Sequence, residues 1–439
     1  MATSPYTIAN KPILNKMLRE EAWWKTNWAK WAGFASKHTD NKNWNIPQTP
    51  IAVFRDFIQE GRTDMLVPML RQLQEYPQIG TETMKGNTED TRFLWHKLFV
   101  HMTRKGVKLP DKISAQKIKW AMQAKKYLPE LAKWWARWEN SEVTRAFLEG
   151  FSYAITKATA DGGLGKSKRY HKNSWLWDGT NKDFTTNAPT YAVGTGITES
   201  VLSSALETVD TAAADEMTTD TLEGIIPELS YAGINPITME GSMPFFPMII
   251  NSRQAKSLRS DSDWLAGKGR ADGKGIKNPI FNGALGTWGS LVLYVDDVIA
   301  RLPYYDGTYV KYFNYSAGAE VGNAANGYNG MYSKVQKPTP IATHTQNVAA
   351  ALILGENCMT KGVAGHNDED PIGGGNTAIK RQLLGLGFAL ESDDFGMVKE
   401  IGSEQYYGYA RNDFFDEEVG TTPTAESEPQ SAIVYTRVT

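Results

Sequence analysis

The chain has 439 residues, of which 41% are hydrophobic and 22% charged, and its 47 Lys and Arg against 49 Asp and Glu give a formal net charge of -2. That length exceeds what one hydrophobic core usually serves, so two or three lobes are expected, and the composition excludes a wholly disordered chain. The near-neutral balance excludes a global electrostatic pull on nucleic acid. Cys358 is the only cysteine, so no intramolecular disulfide and no multi-cysteine zinc site can form, which fits a reducing cytoplasm. The opening stretch MATSPYTIANKPILNK lacks a signal-peptide core, and no run of about eighteen apolar residues occurs anywhere, so no membrane partner is expected.

Residues 1–13 read as a polar, extended arm. Met17, Trp24, Trp28, Trp31 and Ala35 then fall at spacings of seven, four, three and four, which predicts one face of a helix. An aromatic stripe of this kind is either core or a surface docked on a neighbour. Residues 36–50, with Pro47 and Pro50, form a linker. From Ile51 to Val107 short apolar pieces flank a polar tip, Gly80 to Asp90, and predict a long β excursion. Within it Phe93–Met102 is read as strand rather than helix. A two-stranded excursion is marginal alone and needs a surface to lie on.

Ile113 to Ile155 is the longest helical tract, and Pro129 is expected to kink or divide it. The second part, Glu130 to Lys157, would be about 42 Å long at roughly 1.5 Å per residue. Its apolar seam of Leu131, Trp135, Trp138, Val143, Phe147, Phe151 and Ile155 drifts around the helix. Between Arg104 and Arg137 ten cationic side chains face only Asp111 and Glu130, a net charge of +8. Lys117, Lys119, Lys125, Lys126, Lys133 and Arg137 are therefore candidates for sequence-blind phosphate contact, or else a solvated helix face.

Residues 161–194 read as a Gly-, Lys- and Asn-rich loop, and Thr195–Glu216 as a helix of small residues. A sheet-like lobe is expected from Ser230 to Ile250, ending in a buried strand at Phe245–Ile250. Asn251 or Ser252 should cap a helix over 253–265, with Gln254 completing a capping box from Asn251. A basic Gly-rich loop follows, and then NPIF, an Asn282-Gly283 turn and a second strand, ALGTWGSLVLYV. Residues 303–345 suggest strands with long loops, Val348–Gly355 an apolar helix or strand, and IVYTRV a last strand after a Thr/Pro/Glu/Ser-rich tail. No internal repeat is evident.

Enzyme-like strings are weak. DGGLGKSKR at 161–169 has Ala160 where a phosphate-binding loop needs glycine, and a helix where a strand should precede it. Asp368 and Asp370 in HNDED lack the grammar of a calcium loop. The six histidines show no metal-binding spacing, and no GxSxG elbow exists, so no catalytic residue and no cofactor is expected.

Two ordered segments carry a family resemblance. The first is Phe245–Val295: strand, helix, LRSDSDWL, basic loop, NPIFNGALG and strand. The second is RQLLGLG at Arg381–Gly387, followed by Asp394-Phe395-Gly396 and IGSEQYYGYARNDFF. Together they resemble the major capsid proteins of coliphage N-four-like podoviruses, in which a helix at the second segment precedes an acidic-aromatic-Gly turn and a strand. The chain departs from that pattern at Leu386 and Phe388, where small residues are common, and at Tyr406, Tyr407 and Tyr409.

The resemblance implies an α+β, Hong Kong 97-like fold with an N-terminal arm, an extended β loop, a peripheral domain with a long spine helix, and an axial domain. The implied division is 1–50 for the arm and Trp-rich helix and 51–112 for the loop. Residues 113–160 with parts of 235–300 and 390–439 form the peripheral domain, and 161–234 with 301–390 are mostly axial. It implies a non-enzymatic shell protein, assembled in the host bacterial cytoplasm, forming hexamers and pentamers around double-stranded DNA. Portal, scaffold and decoration proteins are the further partners. Because no long helical segment precedes the arm, a separate scaffold or none is expected. Trp24, Trp28, Trp31, Phe93 and Trp95 are the candidate inter-subunit contacts. Alternatives are an encapsulin-like compartment with the same fold, a nucleotide-dependent enzyme using the 161–169 loop, and a monomeric nucleic-acid-binding protein using the 104–137 tract.

Overall fold

The computed structural model describes residues 26–37, 44–45, 48–54, 64–70, 93–108, 127–156, 168–193, 195–209, 213–238, 244–271, 284–300, 304–305, 310–311, 347–363, 386–392, 399–413 and 429–438. Among the described residues of the N-terminal region a 3-10 turn, Ala29–Trp31, gives way to β1 (Ala32–Phe34), and a small hairpin of β2 (Ser36–Lys37) and β3 (Trp44–Asn45) follows. The expected aromatic helix therefore does not extend to Ala35. At Ala32 the backbone is already extended, and Gly33 is a poor helix former. β1 instead pairs in parallel with β4 (Ile51–Phe54), whose four residues are all buried.

The predicted β excursion is present. β5 (Asp64–Leu70) and β6 (Phe93–Phe99) form an antiparallel hairpin, and β6 continues through Val100 into β7 (His101–Lys108). Pro68 sits on β5, whose other edge meets no described strand, as suits a residue without an N–H to donate. The hairpin is rooted in the subunit, because Leu98 and Phe99 pack with Phe151, Ile155 and Ala410.

The long helix α1 spans Tyr127–Glu149, 23 residues, or about 35 Å. Pro129 lies in its first turn, where a missing N–H is harmless, so it introduces no kink within the described helix. α1 stops short of the expected Lys157 because Gly150 turns left-handed, at φ 84°. A Cβ there would stand 3.0 Å from both the Arg169 carbonyl oxygen and its Cβ. Phe151 then bridges to Ala410, and a short helix, α2 (Tyr153–Thr156), follows. Every residue from 139 to 149 is buried, which explains the drifting seam: in this half no face of α1 meets water.

Residues 168–198 contain one short strand, β8 (Ser174–Leu176), within a chain that is far from a free loop, since Tyr170, His171, Asn173 and Trp177 are buried. α3 (Glu199–Val209) buries Leu202, Leu206 and Val209. α4 (Thr219–Tyr231) buries Leu222, Ile225 and Leu229, and it was not foreseen. β9 (Phe246–Ile250) is wholly buried, as expected. The Asn251 cap is also confirmed: its Oδ1 accepts from the Arg253 amide at 3.0 Å, and Gln254 Oε1 accepts from the Asn251 amide at 3.0 Å. α5 (Ser252–Ser260) breaks at Asp261, whose carboxylate accepts from the Thr219 amide and hydroxyl at 2.7 Å each, before α6 (Ser262–Ala271).

The expected Asn282-Gly283 turn lies outside the described residues. What was read as its second strand is itself a hairpin, β10 (Ala284–Trp288) and β11 (Leu291–Val295). It turns at Gly289-Ser290, with Gly289 at φ 55°, which suits a first turn position that favours glycine. Two short strands, β12 (Tyr304–Tyr305) and β13 (Val310–Lys311), precede the central strand β14 (Asn347–Leu354). β15 (Met359–Val363), β16 (Leu386–Ser392), β17 (Lys399–Arg411) and β18 (Ser431–Val438) complete the chain. Leu386 and Gly387 thus belong to a strand rather than to the end of the implied helix, while the strands expected at 401–415 and in IVYTRV are found.

Two six-stranded sheets organise these elements. The first has the order β1-β4-β15-β17-β16, with β7 on the opposite side of β17. The second runs β10-β11-β9-β14-β18-β8. It unites strands from 246–295 and 431–438 with strands from 174–176 and 347–354, segments that the sequence reading assigned to different domains.

Strand alternation gives the second sheet two buried faces. Ile249, Val292, Ala350, Leu352, Ile433 and Tyr435 join a core with Phe147, Leu202 and Leu206. Met248, Ile250, Leu293, Ile353 and Val434 join one with Leu222, Ile225, Leu258 and Trp264. α1 packs on the first sheet through β17.

Gly408 on β17 lets the Phe99 backbone approach where a Cβ would collide with the Phe99 carbonyl oxygen. Gly408→Ala is expected to cost about 1–3 kcal/mol of stability, because the obstructing atom is backbone and cannot step aside. Urea unfolding of the purified chain measures it; a midpoint unchanged from wild type would show that the hairpin root is slack.

Candidate functional site

The aromatic segment 26–31 lies at the junction of α1 and the second sheet. Trp28 is 0% exposed, stacks on Phe147 at 6.2 Å, and donates its Nε1–H to Thr144 Oγ1 at 3.2 Å. Trp31 meets the Tyr294 ring edge-to-face at 4.9 Å, and Lys30 Nζ lies 5.1 Å and 5.0 Å from those two rings. Between them Asn27 donates its amide to Asn140 Oδ1 at 2.9 Å and its Nδ2–H to Asp296 Oδ2 at 2.6 Å. Asp296 in turn accepts from the amides of Val298 and Ile299, which fixes the turn after β11.

Within the chain Trp28 and Trp31 are therefore packed in its own core. Trp24 lies outside the described residues. Phe93 and Trp95 fall on one face of β6, opposite Leu70 and Pro68 of β5.

The basic tract divides. Lys133 and Arg137 are exposed, four residues apart on α1, and Lys105 on β7 places its Nζ 5.2 Å from the Trp134 ring between them in sequence. Lys117, Lys119, Lys125 and Lys126 lie outside the described residues, as do 161–167 and the HNDED cluster. Among the described residues no group of three His, Cys, Asp or Glu is placed to hold a metal ion, and no helix is long and apolar enough to cross a membrane.

The sequence reading missed a buried polar spine on the inner side of α1. Glu139 holds Lys361 Nζ at 3.3 Å and accepts from the Tyr409 hydroxyl at 3.4 Å. Burial pushes the Lys361 ammonium down to about 8 despite that partner. Trp138 Nε1 donates to the Tyr407 hydroxyl, so two adjacent helix residues clasp two β17 tyrosines. Glu142 accepts from Arg145 at 2.8 Å and from the Tyr153 amide at 3.0 Å, and the Arg145 guanidinium lies over the Trp138 and Tyr153 rings.

At the far end Arg411 is wholly buried. Its Nε and Nη2 donate to the two Asp413 oxygens at 2.6 Å each, Nη1 to the Phe147 carbonyl at 2.7 Å, and Nη2 also to the Arg169 carbonyl at 2.8 Å. Burial alone would raise the Asp413 carboxyl; the Arg411 charge and hydrogen bonds hold it below its usual value. His171 Nδ1 accepts from the Asn173 amide at 3.0 Å, so its Nε2–H faces Ser431 Oγ at 2.7 Å. Burial first, and Arg411 second, keep that ring neutral. Sealed from water, these groups act as ties between the helix, the first sheet and β18.

A sheet clasped by a long, internally charged helix, a second sheet sandwiched between helices, and the β5–β6 hairpin together define the architecture. A family model for phage capsid proteins matches residues 26–421. The chain belongs to the phage capsid protein family. Solved structures agree on the Hong Kong 97-like fold. The capsid of Ralstonia phage GP4 aligns at 15% identity over 89% of this chain and 88% of that one, with a TM-score of 0.52. The head of Helicobacter pylori bacteriophage KHP40 aligns at 12% over 94% and 92%, with a TM-score of 0.52. The cyanophage Pam1 capsid aligns at 13% over 94% and 92%, with a TM-score of 0.55. Among curated protein sequences none matches. The capsid family is that of a structural protein, and virion capsid is where such a chain belongs.

Proposed function

We propose that this chain is the major capsid protein of a tailed double-stranded DNA phage related to the N-four-like podoviruses, and that it assembles as hexamers and pentamers into an icosahedral shell in the host cytoplasm. The observation that carries the reading is the capsid family match over residues 26–421, which takes in the first sheet, α1 and every strand of the second sheet but β18. The first sheet with α1 forms the peripheral lobe, and the second sheet with α3 to α6 the axial lobe. The β5–β6 hairpin supports a role in neighbour contact: two strands are marginal alone, and the β5 outer edge pairs with no described strand. Phe93 and Trp95 are its contact residues. Portal, scaffold and decoration proteins are the further partners. Light scattering with negative-stain microscopy of the purified chain tests the reading. Closed shells or capsomers are expected, and a stable monomer at every salt and crowding condition would overturn it.

Lys133 and Arg137 are the described part of a basic face toward packaged DNA, a phosphate contact without sequence preference. Changing both to Glu is expected to leave shells intact and to flatten the log–log dependence of double-stranded DNA binding on salt by about two. An unchanged slope would assign the pair to ordinary solvated surface.

A further inference from the structure

The C-terminus of α1 holds a charge arrangement that the capsid reading does not use. Glu149 is the last residue of the helix, its side chain is 1% exposed, and among the described residues neither carboxylate oxygen accepts a hydrogen bond. It sits where the carbonyl ends of the helix present partial negative charge, the wrong pole for an anion. Lys168 reaches it at only 3.9 Å, and the same ammonium stands 3.6 Å from Glu199, the first residue of α3. Two carboxylates from two different elements thus share one lysine. The backbone closes the arrangement, since the Arg169 amide donates to the Glu149 carbonyl at 2.9 Å.

For Glu149, burial outweighs the other charges nearby. On its own helix Glu142 is engaged with Arg145, which attracts Glu149 only at a distance. From the chain before β8, Tyr170 hydrogen-bonds Glu199. The Arg169 guanidinium lies 4.3 Å from the Phe151 ring. The nearest charges of β17, Arg411 and Asp413, pair with each other.

We propose that Glu149, Lys168 and Glu199 form a proton-sensitive latch between the long helix and the helix α3 that flanks the second sheet. With Glu149 protonated, Glu199 is the described carboxylate left to pair with Lys168. With Glu149 ionised, a second carboxylate competes for the same ammonium at the negative end of α1, and the contact between α1 and α3 loosens. Burial, outweighing the pull of Lys168 and Arg145, lifts the Glu149 carboxyl from 4.5 to about 7, so the change falls within a physiological pH range. The sign follows. The folded chain holds the proton that the unfolded chain releases near 4.5, so the latch is strongest below that pH and weakens as pH rises through about 7.

The test is thermal unfolding and amide hydrogen exchange of the full-length chain, in the assembly state in which it purifies, across pH 5 to 8. Wild type is expected to lose stability on the order of a hundredfold in folding equilibrium relative to Glu149→Gln across that range. Faster exchange should concentrate in 168–173 and 199–209. Lys168→Met should enlarge the pH-dependent loss, and Glu199→Gln, which frees Lys168 for Glu149, should shrink it. Those opposite signs distinguish a latch from simple packing. They also keep the test decisive if Glu149→Gln folds poorly. Parallel pH profiles for wild type and all variants that fold would overturn the proposal.

Discussion

Arg411→Met should be among the most damaging single substitutions in this capsid protein, lowering stability by about 3–5 kcal/mol at neutral pH. The guanidinium satisfies both Asp413 oxygens and the carbonyls of Phe147 and Arg169, and it is 0% exposed. Methionine fills much of the volume but leaves a buried carboxylate without its cation and two buried carbonyls without a donor. pH provides a further check. In wild type Asp413 is held below 3.8, so its contribution is present above 3.8 and is lost as pH falls through the still lower folded value. In the variant the carboxyl loses that hold, rises, and favours a proton. The deficit relative to wild type should therefore shrink in acid, as protonation removes the uncompensated charge. Adding Asp413→Asn should recover part of the loss at neutral pH. Urea midpoints at several pH values measure both effects. A deficit that is the same at every pH would mean that packing, and not the ion pair, is what Arg411 supplies.

That arrangement also shows why much of the site was illegible in the chain. Short apolar runs announced β9 and β18, and Asn251 with Gln254 announced the helix that follows β9, because each signal is complete within a few residues. The spine of α1 is different. Glu139, Glu142, Arg145 and Glu149 look like a solvated face opposite an apolar seam, and only Lys361, Tyr409 and the strands that carry them convert it into an interior. Those partners lie more than two hundred residues downstream, so no local pattern could name them.

Other differences had local signals that stronger ones outweighed. The Asn282-Gly283 dipeptide drew the turn, although Gly289-Ser290 is also a hairpin pair and is the one that closes β10 on β11. Gly150 marked the end of α1, but the apolar spacing carried on through Phe151 and Ile155, which instead root the β5–β6 hairpin. α4 carried Leu222, Ile225 and Leu229 at helical spacing, with a capping box at Thr218 and Thr221, although Pro227 lies inside it.

Trp28→Ala separates the two readings of an aromatic stripe. If Trp28 docked on a neighbouring subunit, its truncation would spare the free subunit and impair only assembly. The structure places it in the subunit's own core, 0% exposed, with its ring on Phe147 and its Nε1–H on Thr144 Oγ1. Truncation should therefore cost about 3–5 kcal/mol in the unassembled chain, from lost burial and the cavity left behind. Trp28→Phe retains the ring against Phe147 and removes the indole donor, so it should cost much less. The loss has a particular spatial consequence. Asn27 ties α1 to Asp296 beside this ring, and Trp31 packs on Tyr294 one turn later, so the segment joins the helix of the first sheet to the second. Loosening it should raise amide exchange at 296–300 as well as in α1. Equilibrium unfolding of unassembled subunits, compared with the yield of closed shells, measures the partition. Normal subunit stability with failed assembly would return Trp28 to the inter-subunit surface.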